Sequence, residues 1–380
     1  MIPLCVPNLC GNERAYLNEC IDTTFVSTVG PFVSRFENMV AHAAGADAAF
    51  AASSGTCGLH LALRAVGTEA GDLVVLPSFT FIASANAVAH CGAVPWLFDI
   101  APESWTLDPK LLANQLATET VRDGATLRHR DSGRRVAAIL VVYTLGMPAD
   151  MDAITAVARE WGIPVVADAA AALGATYKSR PISQLGAALS VFSFNGNKTV
   201  TSGGGGAVVG PAGPLVTLVR HLGSTARKGI DYSHDMVGFN YRMTNLQAAV
   251  GCAQMENLER FVAAKRAIAE RYDRELVGVS GVGGFPQPDW AHSACWFSGI
   301  VLPTTGPSSA SIRQGLSDAG IEARPFWKPM HLQQPYASAP HTPQPVAESL
   351  WERVVTLPCS THLDSADQDK VIETLRGLLR

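Results

Sequence analysis

The sequence predicts an α/β protein built on a mostly parallel sheet covered by helices, with a smaller α/β unit after it. Over the first two-thirds of the 380 residues, short and nearly continuous apolar segments alternate with helix-like stretches. That alternation is typical of parallel strands buried on both faces. After about residue 244 the pattern changes to one or two long helices and two further strand-like segments. We therefore predict a large domain at residues 1–250 and a small C-terminal domain at residues 251–380.

Each predicted strand is a short apolar run bounded by turn residues or polar side chains. In chain order, the predicted strands are residues 48–52, 73–76, 94–100, 136–143, 164–167, 187–194, 206–209, 296–302 and 323–327. Apolar residues recurring at helical spacing predict helices at residues 59–66, within 78–89, and at 150–161, 244–276 and 364–379. Asp150 and Thr244 are suited to cap the first turns of two of these helices. The polar and charged residues 118–135 are expected to form a surface loop or hairpin.

The composition excludes several classes of protein. With 29 Lys and Arg against 33 Asp and Glu, the net charge of −4 gives no general attraction to nucleic acid or to an anionic membrane. A hydrophobic content of 47% with only 16% charged residues excludes a disordered chain. No apolar run approaches the ~18–20 residues of a membrane helix, and the first residues do not resemble a signal peptide. The eight cysteines contain no C-x-x-C pair, so we expect no metal site and a cytoplasmic protein with reduced thiols.

Four strand ends carry candidate functional residues, because ligands of parallel sheets lie beyond the carboxyl ends of the strands. Residues 53–58 form a small glycine-containing turn before a helix. This turn either simply connects a strand to the helix or forms an anion-binding site. Asp168 ends a buried strand among alanines, so it either caps a helix or holds a cationic ligand group. Lys198 follows another buried strand and is either a solvated loop lysine or, in a desolvated site, a nucleophile. Residues 237–244 form a polar and aromatic turn before the long helix.

Taken together, these strand ends supply what pyridoxal phosphate needs from a protein. The cofactor requires a lysine, a carboxylate that keeps its pyridine nitrogen protonated, a phosphate cradle and a side chain that stacks on its ring. The candidates for these four parts, in the same order, are Lys198, Asp168, Gly55 and Thr56 with Ser193, and Phe81. The spacing between the aspartate and the lysine leaves room for one helix and one strand between neighbouring strand ends.

The chain resembles the DegT/StrS type of pyridoxal-phosphate-dependent nucleotide-sugar aminotransferases nearly from end to end. The motifs that carry the resemblance are SSGTCGLHLALRAVG (53–67), VVLPSFTFIASANAV (74–88), GMPADMDAI (146–154), VVADAAAALGATY (165–177), FSFNGNKTVTSGGGGAVV (192–209), VGFNYRMTNLQAAVGCAQMENL (237–258) and ARPFWKPMH (323–331). This resemblance implies aminotransferase fold type I, glutamate as amino donor and a homodimer with shared sites.

Within that family, the Asn195–Lys198 form and the opening segment look like one particular branch. That branch aminates UDP-4-keto-6-deoxy-N-acetylglucosamine in the biosynthesis of cell-surface amino sugars of the bacillosamine and legionaminic-acid type. The UDP-linked sugar is therefore the substrate that the resemblance implies. A GDP- or dTDP-linked keto sugar is the main alternative.

The resemblance also implies roles for individual residues. Lys198 would be the Schiff-base lysine, and Asp168 would be the partner of the pyridine nitrogen. The residues expected to hold the phosphate or stack on the ring are Gly55, Thr56, Ser193 and Phe81, together with Asn240 from the neighbouring subunit. The residues expected near the sugar nucleotide are Ser27, Thr28, Arg324 and His331. Ala171 departs from the family, which usually has Gln, Glu or His at this position, beside the cofactor's 3-hydroxyl. The resemblance therefore does not determine the pKa of the imine, the orientation of the ring or the substrate preference.

Two other functions are possible on the same scaffold. A pyridoxamine-dependent sugar dehydratase of this type would carry histidine in place of the lysine, so Lys198 argues against it. A non-catalytic, cofactor-binding regulatory protein would be favoured by the loss of Lys198, Asp168 or Asn240. All three are present, and Ala171 is the one feature in favour of that alternative.

Overall fold

The computed structural model describes all 380 residues, with helices and strands alternating over the first two-thirds of the chain. The α-helices are α1 (Glu13–Asp22), α2 (Pro31–Ala44), α3 (Gly55–Ala65), α4 (Ile82–His90), α5 (Pro109–Glu119), α6 (Met151–Trp161), α7 (Pro214–Gly223), α8 (Asn245–Met255), α9 (Leu258–Leu276), α10 (Ser309–Asp318), α11 (Pro345–Leu350) and α12 (Ser365–Leu378). The strands are β1 (Ala48–Ala52), β2 (Leu73–Pro77), β3 (Val94–Phe98), β4 (Thr120–Asp123), β5 (Thr126–His129), β6 (Val136–Val142), β7 (Val165–Asp168), β8 (Thr176–Tyr177), β9 (Arg180–Pro181), β10 (Leu189–Ser193), β11 (Gly206–Gly210), β12 (Arg227–Lys228), β13 (Ser233–His234), β14 (Ala291–His292), β15 (Ser298–Val301), β16 (Arg324–Pro325) and β17 (Val354–Leu357).

A seven-stranded sheet forms the centre of the molecule, in the order β1-β11-β10-β7-β6-β2-β3. Six strands are parallel to one another, and β11 runs antiparallel to both of its neighbours. The predicted mostly parallel sheet is thereby confirmed. Strands β2, β6 and β7 are buried along their whole length. Burial on both faces explains why these strands are continuous apolar runs in the sequence.

Helices cover both faces of this sheet, and successive strand residues point to opposite faces. On β6, Ile139 and Val141 pack into the core that includes residues of α2, α5, α6 and α8. Their neighbours Ala138 and Leu140 pack into the opposite core, with α3, α4 and α7. The parallel sheet is thus the middle layer of a three-layer structure. No helix combines the length and the apolar character that crossing a membrane requires.

The C-terminal residues form a smaller layer around the antiparallel sheet β15-β17-β16. Residues of α9, α10 and α12 pack against this sheet in one core. The N-terminal Ile2 belongs to the same core and pairs with Ile321. The predicted strands at 296–302 and 323–327 are confirmed as β15 and β16, whereas β17 was not predicted. The predicted boundary at residues 250 and 251 falls inside α8, and the division into two domains stays a prediction.

The local predictions at helix starts and in the polar insertion are confirmed. The Asp150 side chain accepts a hydrogen bond from the Ala153 amide at the start of α6. Thr244 forms a capping box with Gln247 at the start of α8, satisfying amide groups that would otherwise lack a partner. The insertion at residues 118–135 contains the antiparallel hairpin of β4 and β5. No prediction covered the two N-terminal helices, α1 and α2.

A buried carboxylate joins α2, β1 and α7 at the edge of the sheet that β1 forms. Glu37 Oε1 accepts a hydrogen bond from the Ala51 amide at 3.0 Å. Its other oxygen, Oε2, accepts one from Arg220 Nη2 at 2.9 Å, and Arg220 also donates to the Ala49 carbonyl at 2.7 Å. Since β1 leads directly into the turn at residues 53–58, these bonds help to hold that turn in place.

We expect Glu37→Ala to lower the free energy of unfolding by about 2 kcal/mol, because it removes the acceptor of a buried amide and of a guanidinium. Urea denaturation followed by circular dichroism measures the change. The matched control is Asp123→Ala, which removes an ion pair with Arg128 that is exposed on both sides. This control is expected to change the stability by less than about 0.5 kcal/mol. Equal losses in the two variants would contradict a structural role for Glu37.

Candidate active site

A cavity of about 420 Å³ lies at the carboxyl ends of the central parallel strands. Within residues 53–198 its lining includes Ser53, Ser54, Gly55, Thr56, Thr80, Phe81, Tyr143, Asp168, Ala170, Ala171, Ser193, Asn195, Asn197 and Lys198. From the C-terminal part it is lined by Trp296, Phe297, Arg324, Pro325, Phe326, Trp327 and Thr356. Polar residues distant in sequence meet here because parallel strands all end at the same edge of the sheet.

The turn between β1 and α3 brings a helix N-terminus to the cavity. Ser54 caps α3, and its side chain accepts a hydrogen bond from the Cys57 amide at 3.1 Å. The backbone here is packed so closely that a Cβ atom on Gly206 would lie 2.6 Å from the Gly55 nitrogen. A Cβ atom on Gly55 would lie 3.0 Å from the Ser193 Cβ. The Cys57 amide is occupied by Ser54, so the first-turn amides of α3 that remain for an anion are those of Gly55 and Thr56. The positive end of the helix dipole also favours an anion there.

Asp168 is a buried carboxylate with no cationic side chain in contact. Its Oδ2 accepts a hydrogen bond from Ser84 Oγ at 2.6 Å, and its Oδ1 accepts one from the Ala170 amide at 3.1 Å. Burial raises the pKa of this carboxyl group, although both hydrogen bonds and the nearby charge of Lys198 act in the opposite direction. A buried carboxylate of this kind is stabilised by a cationic ligand group.

Lys198 lies in the turn after β10, with its amine against an aromatic ring. The Nζ atom is 3.4 Å from the centre of the Trp296 ring. The Trp296 Nε1–H group donates a hydrogen bond to the Asn197 carbonyl at 2.7 Å, which ties the ring to the same turn. Burial lowers the pKa of Lys198 to about 7, although the charges of Asp168 and Cys5 raise it. The neutral, nucleophilic amine is therefore populated near neutral pH.

Seven of the residues selected from the sequence line this one cavity: Gly55, Thr56, Phe81, Asp168, Ser193, Lys198 and Arg324. Phe81 lies at its mouth with 54% of its surface exposed, 6.1 Å from the Trp327 ring centre. Arg324 is also exposed at the mouth, where its guanidinium group pairs with Glu322 at 2.6 Å.

Four other selected residues lie outside the cavity lining of a single chain. Asn240 is exposed and pairs with Ser224 through its backbone. Ser27 and Thr28 precede α2, and the Ser27 carbonyl accepts a hydrogen bond from the Asn245 amide. His331 is buried, with Nδ1 2.7 Å from Ser78 Oγ and Nε2 3.1 Å from Glu348 Oε1. The roles expected for these four residues stay predictions.

The structure adds three residues to this site that the sequence argument did not select. Ser84 holds the carboxylate of Asp168, and Trp296 contacts the amine of Lys198. The Tyr143 hydroxyl group is buried without a hydrogen-bond partner in the chain, and Tyr143 lines the cavity. Tyr143 directly follows β6, so the strand-end criterion that identified Asp168 applies to it as well. No comparable signal in the sequence points to Ser84 or Trp296.

These residues fit pyridoxal phosphate. A buried amine, a carboxylate without a cation partner and a glycine-lined helix N-terminus face one cavity of suitable size. They match the cofactor's aldehyde, ring nitrogen and phosphate in turn. The unpartnered Tyr143 hydroxyl provides a further hydrogen-bonding group on the same wall, where Ala171 has none.

Comparisons with known proteins agree with this geometry. Residues 7–376 match the model of the DegT/DnrJ/EryC1/StrS aminotransferase family. EpsN of Bacillus subtilis, whose name describes a pyridoxal phosphate-dependent aminotransferase, is 36% identical over 99% of this chain and 95% of its own length. A protein of Caulobacter vibrioides named GDP-perosamine synthase is 37% identical over 100% of this chain and 98% of its own. The crystal structure of a DegT DnrJ EryC1 StrS aminotransferase from Brucella abortus is 29% identical, covers 96% of this chain and 95% of its own, and superposes with a TM-score of 0.88. The chain therefore belongs to the DegT/DnrJ/EryC1/StrS aminotransferase family and is a pyridoxal-phosphate-dependent sugar aminotransferase.

Proposed function

We propose that this protein transfers the amino group of glutamate to a nucleotide-linked 4-keto-6-deoxy sugar in the cavity at the strand ends. One observation carries the proposal. Lys198 faces the same cavity as the buried carboxylate of Asp168, and burial lowers the pKa of its amine to about 7. An unprotonated amine and a carboxylate without a cation partner are what amino transfer with this cofactor requires.

Two residues carry the chemistry in this proposal. Pyridoxal phosphate, when bound, supplies the electron sink. The Nζ atom of Lys198 takes the proton from the amino-bearing carbon of the donor and delivers protons in the reverse half-reaction, as a general acid and base. Asp168 would hold the ring nitrogen of the cofactor in its protonated form. Because Ser84 and the Ala170 amide each hold one oxygen of Asp168, the position of this charge is defined before the cofactor binds.

The other residues of the cavity position the reactants in this proposal. The phosphate is assigned to the amides of Gly55 and Thr56 and to the Ser193 hydroxyl, at the N-terminus of α3. Phe81, at the cavity mouth, would pack on the cofactor ring, and the Tyr143 hydroxyl would be a donor for an oxygen of the cofactor. Arg324, exposed at the same mouth, is the cation available to the phosphates of a sugar nucleotide.

The names of the relatives help to choose the nucleotide of the sugar substrate. The UDP-linked sugar rests on the Asn195–Lys198 segment and on the opening of the chain. The Caulobacter vibrioides relative, at 37% identity over the whole chain, is named for a GDP-linked product. We therefore rank a GDP-linked 4-keto-6-deoxy sugar ahead of UDP-4-keto-6-deoxy-N-acetylglucosamine.

An assay with the two sugars tests the reaction and the nucleotide together. Protein loaded with pyridoxal phosphate is given glutamate and either GDP-4-keto-6-deoxymannose, the keto form of the perosamine skeleton, or the UDP-linked sugar. We expect mass spectrometry to detect a 4-amino sugar, formed at least about tenfold faster from the GDP-linked substrate, which corresponds to about 1.4 kcal/mol.

Two lysine variants control this assay. Lys198→Ala is expected to form no product, whereas Lys178→Ala, which removes an exposed lysine paired with Asp152, is expected to retain activity. Faster turnover of the UDP-linked sugar would reverse the order of the nucleotides. Turnover by Lys198→Ala equal to that of the unmodified protein would contradict the role of Lys198.

The titration of Lys198 is a second prediction, measured without cofactor by acetylation at a series of pH values and peptide mass spectrometry. Burial disfavours the ammonium form, so the acetylation rate is expected to rise with pH and to reach half its plateau at about pH 7. Asp168→Asn removes a negative charge that favours the ammonium form, so the midpoint is expected to fall. Lys178, whose hydrogen bond to Asp152 raises its pKa, is the control and should react only at higher pH. A midpoint for Lys198 as high as that of Lys178 would refute the desolvated amine.

We also propose that the protein is a homodimer in which Asn240 contributes to the site of the partner subunit. Large apolar side chains are exposed just before Asn240 and on both sides of Ser27. Near Asn240, Tyr232 and Val237 expose 86% and 85% of their surfaces. Phe25, Val26 and Val29 are also exposed, beside Ser27 and Thr28. Clusters of exposed apolar residues beside predicted site residues support a protein interface in these two segments.

Mixing two inactive variants tests this shared site. If each site combines Lys198 of one subunit with Asn240 of the other, heterodimers of Lys198→Ala and Asn240→Ala contain one site without a substitution. Unfolding and refolding the two variants together is then expected to restore about a quarter of wild-type activity, since about half of the dimers are mixed and each has one intact site. Refolding each variant alone is the control. A mixture no more active than the separate variants would contradict the sharing.

A further inference from the structure

A buried lysine close to the active site has no carboxylate partner. Lys265, on α9, exposes only 1% of its surface. Its Nζ atom donates to the carbonyls of Cys359 at 2.6 Å and Trp296 at 2.9 Å. Its other contacts are sulphur atoms, at 3.3 Å for Cys5 Sγ and 3.5 Å for Cys359 Sγ. The two thiols are thus the only groups in contact with this ammonium that are able to carry a negative charge.

The surroundings favour a single thiolate, on Cys5. A buried ammonium ion is destabilising without a counter-charge. Cys359 is completely buried, whereas Cys5 is half-buried and retains some contact with solvent. A hydrogen bond from Cys359 and the nearby Lys265 and Lys198 charges lower the pKa of Cys5 to about 6, against the effect of burial. Burial raises the pKa of Cys359. For Lys265, the two sulphur atoms outweigh burial and raise its pKa.

The cluster of Lys265, Cys5 and Cys359 lies next to the turn that carries Lys198. The Cys5 thiol, when protonated, donates to the Asn197 carbonyl at 3.3 Å, one residue before Lys198. The same carbonyl accepts a hydrogen bond from Trp296 Nε1 at 2.7 Å, so it stays satisfied when Cys5 is ionised. The charges that face Cys5 are therefore Lys265 of α9 and Lys198 of the turn after β10, with Cys359, after β17, as the neutral partner.

We propose that Cys5 is a thiolate paired with Lys265, and that it is a modification site for hydroperoxides, which convert Cys5 and Cys359 to a disulfide. Thiolates, and not thiols, are the nucleophiles in this chemistry, and an adjacent ammonium stabilises them. The second sulphur shares the same lysine, so a resolving thiol is already in place. Neither residue is assigned a contact with substrate or cofactor in the amino transfer proposed above, although the charge of Cys5 acts on the pKa of Lys198.

The oxidation balances with the peroxide as the only oxidant. The Cys5 sulphur attacks one oxygen of hydrogen peroxide, an S–O bond forms, the O–O bond breaks, and hydroxide leaves and is protonated to water. The Cys359 sulphur then attacks the Cys5 sulphur, an S–S bond forms, the S–O bond breaks, and the departing hydroxide takes the proton of Cys359. One thiolate and one thiol are oxidised to a disulfide, and one peroxide is reduced to two waters with one proton taken from solvent.

Peptide mass spectrometry of the full-length protein treated with hydrogen peroxide tests the proposal. We expect a peptide pair linked through Cys5 and Cys359 that separates again with dithiothreitol. In Cys359→Ser the resolving thiol is missing, so dimedone is expected to capture a sulfenic acid on Cys5. Oxidation of other cysteines while Cys5 and Cys359 remain thiols would overturn the proposal.

Alkylation by iodoacetamide tests the ion pair independently of the oxidation. In the unmodified protein, the rate of Cys5 alkylation is expected to rise with pH to a plateau with a midpoint at about 6. A midpoint near the ~8.5 of an ordinary cysteine would overturn the thiolate. Lys265→Met is expected to slow this alkylation at pH 7 at least tenfold, and Cys359→Ser to raise the midpoint. Because the wild-type profile needs no variant, the test stands even where Lys265→Met does not fold.

Discussion

Desolvation of Lys198 and Asp168 at one cavity is the constraint on which the site depends. Burial disfavours the charged form of each group, and each favours the charge of the other. The parallel sheet makes this arrangement possible because the ends of β7 and β10 are neighbours at one edge. The C-terminal residues complete it by covering that edge with aromatic side chains, which limit the access of water. A reactive amine at neutral pH thus follows from packing.

Trp296 connects the amine to the rest of the molecule. Its ring faces Lys198 Nζ, its Nε1–H group binds the Asn197 carbonyl, and its own carbonyl accepts a hydrogen bond from Lys265. One residue of the small C-terminal layer therefore contacts the catalytic turn and the cluster of Cys5, Lys265 and Cys359. The position of the lysine turn depends in this way on how the C-terminal layer packs against the central sheet.

Tyr143 provides a polar group in the cavity to which Ala171 contributes none. Ala171 lines the cavity with a methyl group, where the family resemblance leads one to expect a polar side chain. The hydroxyl of Tyr143 is buried, unpartnered and part of the same lining. A buried hydroxyl without a partner is destabilising by about 1–3 kcal/mol, and a ligand oxygen in the cavity would relieve this. The non-catalytic alternative thereby loses the one feature that favoured it.

The sequence by itself determined the layers of the fold and the chemical groups at the strand ends. Strands buried on both faces must be apolar throughout, so β6 and β7 could be identified as apolar runs in the sequence. Charged residues at the end of such a run, as Asp168, or a few residues after one, as Lys198, indicated the site. Only the tertiary structure decided which distant residues touch them. Trp296 lies far along the chain from Lys198, and Cys5 and Cys359 lie near opposite ends of it, so no local periodicity encodes these contacts. They arise because the N-terminal segment and the C-terminal layer pack together over the end of the sheet, and burial there changes the pKa of each group.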